Sequence, residues 1–169
     1  MSDLGTHLRT MAAYNRWANR RLYAEAGTLP DVLYRQGAGA FFGSLHGTLN
    51  HLLVTDRIWM TRLDGQGEAP TRLDAILFED LEPLRVAREA EDARIIGFVA
   101  GLSDRALAEN FEYATTRGAP QRQPRWEALA HLFNHQTHHR GQAHAILTRV
   151  GGAERVWLDL LARQRAMAR

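Results

Sequence analysis

The chain has 169 residues, enough to bury a core in one domain, and 45% of them are hydrophobic. A net charge of +2 is too small to argue for nucleic acid or an anionic membrane as partner. There is no cysteine, which excludes disulfides, a thiol nucleophile and thiolate metal ligands, so any metal must be held by His, Asp or Glu.

No signal peptide stands at the N-terminus and no apolar run is long enough to span a bilayer, so a cytoplasmic protein is expected. All 21 basic residues are arginine. An arginine-only surface suits carboxylate and phosphate partners, although codon usage accounts for the bias as simply.

Residues 3–26 read as the first helix, with Leu4, Leu8, Met11, Ala12, Trp17, Ala18, Leu22 and Tyr23 at helical spacing and Ser2 or Asp3 as cap. Leu29-Pro30 ends it, and 27–40 is a connection. His7 is expected on the surface. Residues 41–64 read as the second helix, from Phe41 to the stop at Asp64-Gly65. It carries two histidines, His46 and His51, about 140° apart around the axis. Both cannot serve one site, and the angles do not choose between them.

Residues 65–82 form a linker. Residues 83–101 read as the third helix, with Leu84, Ala87, Ile95, Phe98 and Val99 inward. Arg85, Arg88, Glu89, Glu91, Asp92 and Arg94 are expected on a solvated face. Residues 102–123 form a long excursion. Within it Ser103-Asp104 opens a turn, and Asn110-Phe111-Glu112-Tyr113 suits strand or loop equally.

The fourth long helix, about 124–150, holds five of the eight histidines. With His135 set at 0°, His139 falls at about +40°, inside the apolar face, and His131 and His138 fall on its flank at about −40° and −60°. His144 points about 180° away. His135 and His139 are thus an i, i+4 pair aimed at the helix's packing partner, the spacing that lets two imidazoles share one metal ion. The same spacing also occurs on ordinary polar helix edges. Arg140 points about 100° from His139, toward the surface or the rim of a site. Residues 155–166 read as a short last helix with Val156, Trp157, Leu160 and Leu161. Four long helices, a short one and no convincing sheet predict an all-α fold over a single domain, residues 1–169. The long connections at 65–82 and 102–123 imply at least one crossover.

Three motifs resemble the DinB family, the DinB/YfiT-like metalloenzymes. They are Tyr14-Asn15-Arg16-Trp17-Ala18-Asn19, then Thr48-Leu49-Asn50-His51 with Asp56-Arg57-Ile58-Trp59, and Asn134-His135-Gln136-Thr137-His138-His139-Arg140-Gly141-Gln142. The last is the specific one. The resemblance spans almost the whole chain. It implies an antiparallel four-helix bundle with a crossover connection. It also implies a divalent metal on three histidines, one from the second helix and two from the HxxxH of the fourth. These match His51, His135 and His139, which leaves His46 outside.

Three neutral imidazoles and no sulfur suit zinc first, with nickel, iron or manganese also open, and leave coordination positions free for chemistry. Such an ion acidifies a bound water or thiol. Each ligand ring is expected to hand its second N–H to an acceptor, with Asn50, Asn134, Gln142 or Thr55 in reach along the sequence. Asp56 is expected instead in an ion pair with an arginine such as Arg57.

Characterised relatives include thiol-dependent transferases and isomerases. The resemblance therefore implies an enzyme acting on a small molecule with a low-molecular-weight thiol as cosubstrate. A metal-dependent hydrolase and a non-catalytic metal- or small-ligand-binding bundle are the alternatives. Trp17, Trp59, Trp126 and Trp157 would crowd one core, so a homodimer is expected.

Overall fold

The computed structural model describes residues 3–151 and 156–168. Four long helices dominate: α1 (Asp3–Ala26), α3 (Leu45–Asp64), α4 (Leu81–Gly101) and α6 (Arg125–Arg149). Three short helices, α2 (Asp31–Tyr34), α5 (Asp104–Ala108) and α7 (Leu160–Met167), sit in the connections. Strands β1 (Asn110–Ala114) and β2 (Pro120–Pro124) form one antiparallel hairpin. Each long helix packs on two others: α1 on α4 and α6, and α3 on α6 and α4.

The core is layered, and the layering follows from where each helix places its polar residues. One apolar cluster holds Leu22 and Tyr23 of α1, Leu45, Leu49, Leu52 and Leu53 of α3, Leu84 of α4, and Ala143, Ile146 and Leu147 of α6. The other holds Leu8 and Ala12, Met60 and Leu63, Ile95 and Val99, and Leu129, Leu132 and Phe133 from the same helices in turn. Helices α1 and α6 therefore run from the second cluster to the first, and α3 and α4 run the other way. The α1–α4 and α3–α6 pairs are antiparallel, while α1–α6 and α3–α4 are parallel. Since α3 and α4 share a direction, residues 65–80 must return the chain along the length of the helices.

Between the clusters lies a buried polar layer to which all four long helices contribute. Arg88 of α4 is 2% exposed and Asp56 and Asp92 are 1% exposed. Arg88 Nη1 stands 2.7 Å from Asp56 Oδ2, and its Nη2 stands 3.1 Å from Asp92 Oδ1. Asn19 of α1 donates to Asp92 Oδ1 at 3.0 Å, and Asn15 reaches the same oxygen at 3.4 Å. Arg140 of α6 donates to Asn15 Oδ1 at 2.6 Å and to Asn19 Oδ1 at 3.2 Å, with its guanidinium over the Tyr14 ring. Two arginines face two aspartates, so the layer is neutral overall. Burial pushes the Asp56 carboxyl up and the Arg88 guanidinium pulls it back; contact at 2.7 Å keeps the pair ionised.

These positions correct the reading of α4 as solvated on its charged side. Arg88, Glu91 and Asp92 are buried, and only part of that face meets water. Arg140 is buried rather than at the surface. Asp56 does make an ion pair, but with Arg88, while Arg57 approaches Glu91 at 3.9 Å. Periodicity reads polarity as exposure and fails where charges neutralise one another inside.

Other corrections are local. The second long helix begins at Leu45 rather than 41, because Ser44 caps it by accepting from Gly47 N. The all-α reading missed the hairpin. Phe111 and Tyr113 share one face of β1 and stack at 5.2 Å, but β2, Pro120-Gln-Arg-Gln-Pro124, carries no strand signal of its own. The last helix starts at Leu160, capped by Asp159, and Val156 packs against the core ahead of it, outside any helix. Gly151, at φ 98°, follows the end of α6 as expected. The possible cap at Ser2, the second stop residue Gly152, and Arg155, where the last helix was to begin, lie outside the described residues. None of the four tryptophans is fully buried, so no crowding arises among them.

Removing Arg88 should strand two buried carboxylates. Arg88→Met is expected to lower the unfolding free energy by about 3–5 kcal/mol in urea titration, and a loss near zero would contradict an ionised buried layer.

Candidate metal centre

Helix α6 presents two i, i+4 pairs on neighbouring faces. Gln136 and Arg140 point into the core, where Gln136 donates to the Leu52 carbonyl at 3.2 Å. His135 and His139 lie one residue earlier in each case and so face the seam with α3, where His51 meets them. The ligand nitrogens of His51, His135 and His139 all lie within 4.8 Å of one another. His51 is buried, and the other two are half-buried.

Two of the three rings are oriented by their second nitrogens. His51 Nδ1 lies 2.8 Å from the Leu73 carbonyl oxygen. A carbonyl can only accept, so Nδ1 carries the proton and Nε2 keeps its lone pair. That Nε2 faces His135 Nε2 at 3.3 Å. His139 Nδ1 donates to Gln142 Oε1 at 2.8 Å, and Gln142 Nε2 in turn meets His138 Nε2 at 3.2 Å.

Two connections complete the surroundings. In residues 65–80, the Leu77 and Phe78 amides donate to Asn50 Oδ1 at 2.9 and 3.1 Å, and Asn50 Nδ2 donates to the Phe78 carbonyl at 3.2 Å. Asn50 thereby pins the returning chain, which delivers Leu73 O to the neighbouring His51. In the segment before α3, the Phe42 ring stacks on His51 with centroids 3.6 Å apart and meets His139 edge-on at 5.5 Å. Phe42 can come this close because position 47 is glycine. A Cβ there would collide with the Phe42 carbonyl oxygen.

Burial lowers the His51 imidazole to about 4, against the opposing bond from Leu73. Burial, together with the neighbouring histidines, lowers His135 to about 3. His139 is also lowered, by burial first. All three are neutral at pH 7 and present lone pairs.

The donor set fits a metal. Zinc–nitrogen bonds of about 2.0–2.1 Å in a tetrahedral site place two ligand nitrogens about 3.3 Å apart, and His51 and His135 Nε2 stand at 3.3 Å. The three rings could hold one divalent ion with positions left open. Phe42 covers one side. On another side His51 and His135 border a cavity of about 300 Å³ that also meets Thr55, Trp59, Arg62, Tyr113 and His131. A larger groove of about 580 Å³ on the hairpin includes none of the three histidines.

The other histidines are placed elsewhere. His46 is buried against Tyr34, whose hydroxyl lies 3.1 Å from its Nδ1. His131 packs on Trp59 with its ring centroid 5.9 Å from that of His135. His7 and His138 are exposed and His144 is half-buried. Of the acceptors expected from the sequence, Gln142 serves His139. Asn50 acts through backbone, and Thr55 Oγ1 bonds the His51 carbonyl at 3.0 Å. Leu73 and Phe42 were missed. A backbone carbonyl has no sequence signature, whereas the Ser44 cap was a readable sign that Phe42 lies before the helix.

The DinB family sequence pattern matches residues 1–168. The chain belongs to the DinB family. It is 28% identical over 150 residues to protein DinB of Bacillus subtilis (strain 168), covering 83% of this chain and 84% of that protein. The crystal structure of a DinB-like protein from Bacillus cereus ATCC 10987 superposes with a TM-score of 0.62 at 17% identity, covering 83% of this chain and 90% of that one. At that identity the likeness is one of fold. No described helix of this DinB-family chain is long and apolar enough to cross a membrane.

The lowered imidazoles set a pH dependence. Unfolded histidines take up protons near pH 6.5, whereas His51 and His135 resist until about 4 and about 3. Between those values the unfolded state binds more protons, so the metal-free protein should lose stability as pH falls from about 6.5 toward 4. The midpoint of thermal unfolding should drop from pH 7 to pH 5, and both rings should remain neutral at pH 5 by imidazole nitrogen NMR. Protonation of either ring near pH 6.5 would contradict the burial described.

Proposed function

We propose that this protein is a divalent-metal-dependent enzyme that transfers a low-molecular-weight thiol to a small electrophile, with His51, His135 and His139 as the metal ligands. What carries this reading is the convergence of three neutral imidazoles on one another, two of them, His51 and His135, bordering a cavity, with the His51 and His139 rings oriented by bonds to Leu73 and Gln142. A divalent ion held there is a Lewis acid of +2 charge with no anionic ligand, which favours a bound anion such as a thiolate. Zinc suits the nitrogen donors best, and nickel, iron and manganese are chemically compatible.

The residues divide the remaining work. His51, His135 and His139 offer Nε2 lone pairs, and the three rings stay neutral at pH 7. Leu73 O and Gln142 Oε1 hold the protons of His51 and His139 on the far nitrogens. Phe42 excludes water from the face of His51. The protein has no thiol of its own, so the nucleophile must arrive as a cosubstrate. The four helices form a bundle whose crossover is residues 65–80, and the chain works in the cytoplasm as a homodimer. Trp157, 63% exposed, is available to such an interface. Metal-assisted hydrolysis on the same site is the second reading, supported by the same open coordination. A metal- or ligand-binding bundle without catalysis is the third.

The test loads the purified, untagged protein with zinc, nickel, iron(II) or manganese. Glutathione, bacillithiol, mycothiol and cysteine are then offered with a test electrophile, followed by simple esters and amides. A metal-dependent rate with a thiol is expected. His139→Ala should abolish both metal stoichiometry and rate, and His144→Ala should leave both intact. Turnover of esters or amides alone would select the hydrolase. Absence of any metal-dependent rate would leave the binding protein.

A further inference from the structure

The cavity beside the histidines has a second chemical end. Along α3 the residues that line it are His51, Thr55, Ile58, Trp59 and Arg62. They recur at helical spacing on one face. Arg62 is eleven residues beyond His51, only about 20° around the helix and about 16 Å along it. The cavity is therefore a trough down one face of α3, with imidazoles at one end and a guanidinium toward the other. The hairpin roofs it through Tyr113, Thr115 and Thr116.

Arg62 is held in an unusual way. Its guanidinium lies over the Trp59 ring at 4.9 Å and against the Tyr113 ring at 5.1 Å. Among the described residues no carboxylate lies within ion-pair reach of it, whereas the other half-buried or buried arginines near α3, Arg57, Arg88 and Arg94, each face one. It is also the one Arg, Lys, Asp or Glu among the residues bordering the cavity. Both rings pack against the guanidinium, and no hydrogen bond among the described residues uses its N–H edge. That edge is a fork matched to a planar carboxylate. Aromatic and aliphatic walls between the two ends suit an apolar body.

We propose that Arg62 binds the carboxylate of a small monoanionic substrate, an aryl or alkyl carboxylate, whose opposite end is thereby directed at the three histidines. A carboxylate fits better than a phosphate dianion because the trough offers a single guanidinium. The orientation toward the histidines rests on the metal-dependent reading above; the carboxylate site itself does not. Trp59 and Tyr113 act as positioning residues that fix the guanidinium. The hairpin supplies Tyr113 and the threonines, so it is part of the substrate site rather than a decoration of the helices.

The experiment titrates the full-length protein with 3-phenylpropionate and with its neutral amide, following Trp fluorescence and calorimetry. Zinc-free protein is used for the affinities, so that metal cannot take the carboxylate. A parallel zinc titration reports on the histidines. Wild type should prefer the acid over the amide by about tenfold or more, as expected of a charge-assisted pair. Arg62→Gln should lose that preference while binding the amide as before and taking up zinc with unchanged stoichiometry. Arg62→Lys should retain part of the preference. Phenyl phosphate should bind no more tightly than the acid. Equal affinity of wild type for acid and amide, an acid preference that survives in Arg62→Gln, or tighter binding of phenyl phosphate than of the acid would overturn the proposal. Failure of zinc to bind wild type would overturn the metal reading and leave the carboxylate site standing.

Discussion

A buried arginine between two buried aspartates constrains everything else in this fold. Arg88 cannot sit 2% exposed without its partners, since an unpaired charge in an apolar interior is far more costly than any single contact recovers. Asp56 and Asp92 must therefore face it, Asn15 and Asn19 donate to Asp92, and Arg140 donates to both asparagines. Each long helix is thereby fixed in rotation and in height. The consequence for the site is geometric. Once Asp56 and the Gln136–Arg140 pair point inward, His51 and the His135–His139 pair must point at the α3–α6 seam.

The seam becomes a site only through the chain that surrounds it. Three adjacent imidazoles without an ion would repel as cations, and burial resolves this by keeping them neutral. The two connections then act from opposite sides. Residues 65–80, pinned by Asn50, bring an acceptor to the far nitrogen of His51. Phe42, admitted by Gly47, closes the ring face. What stays open is the trough toward Arg62. The residues with least helical character thus decide protonation, access and shape, while the helices decide position.

Much of this was legible in the sequence, and the limits are physical. The long helices follow from apolar periodicity, and the HxxxH pair from spacing alone. The choice of His51 over His46 came from family resemblance, and the structure shows why angles could not supply it: both are buried, His46 beside Tyr34 and His51 beside the other two imidazoles. The charges of α4 were misread because a buried ion-pair layer has the same residue pattern as a solvated face. Tyr14-Asn15-Arg16-Trp17-Ala18-Asn19 was noticed as a family mark; its two asparagines prove to be hydrogen-bonding partners of the polar layer. Leu73, Phe42 and Arg62 depend on tertiary approach and left no local pattern, apart from the Ser44 cap.

The account stands or falls on where a metal binds. Crystals of the full-length protein grown with zinc, with diffraction collected on both sides of the zinc absorption edge, would locate it directly. The account predicts one strong anomalous peak within about 2.2 Å of a nitrogen from each of His51, His135 and His139. A peak at His138, His144 or His46 instead, or a zinc bound by only two of the three, would contradict it.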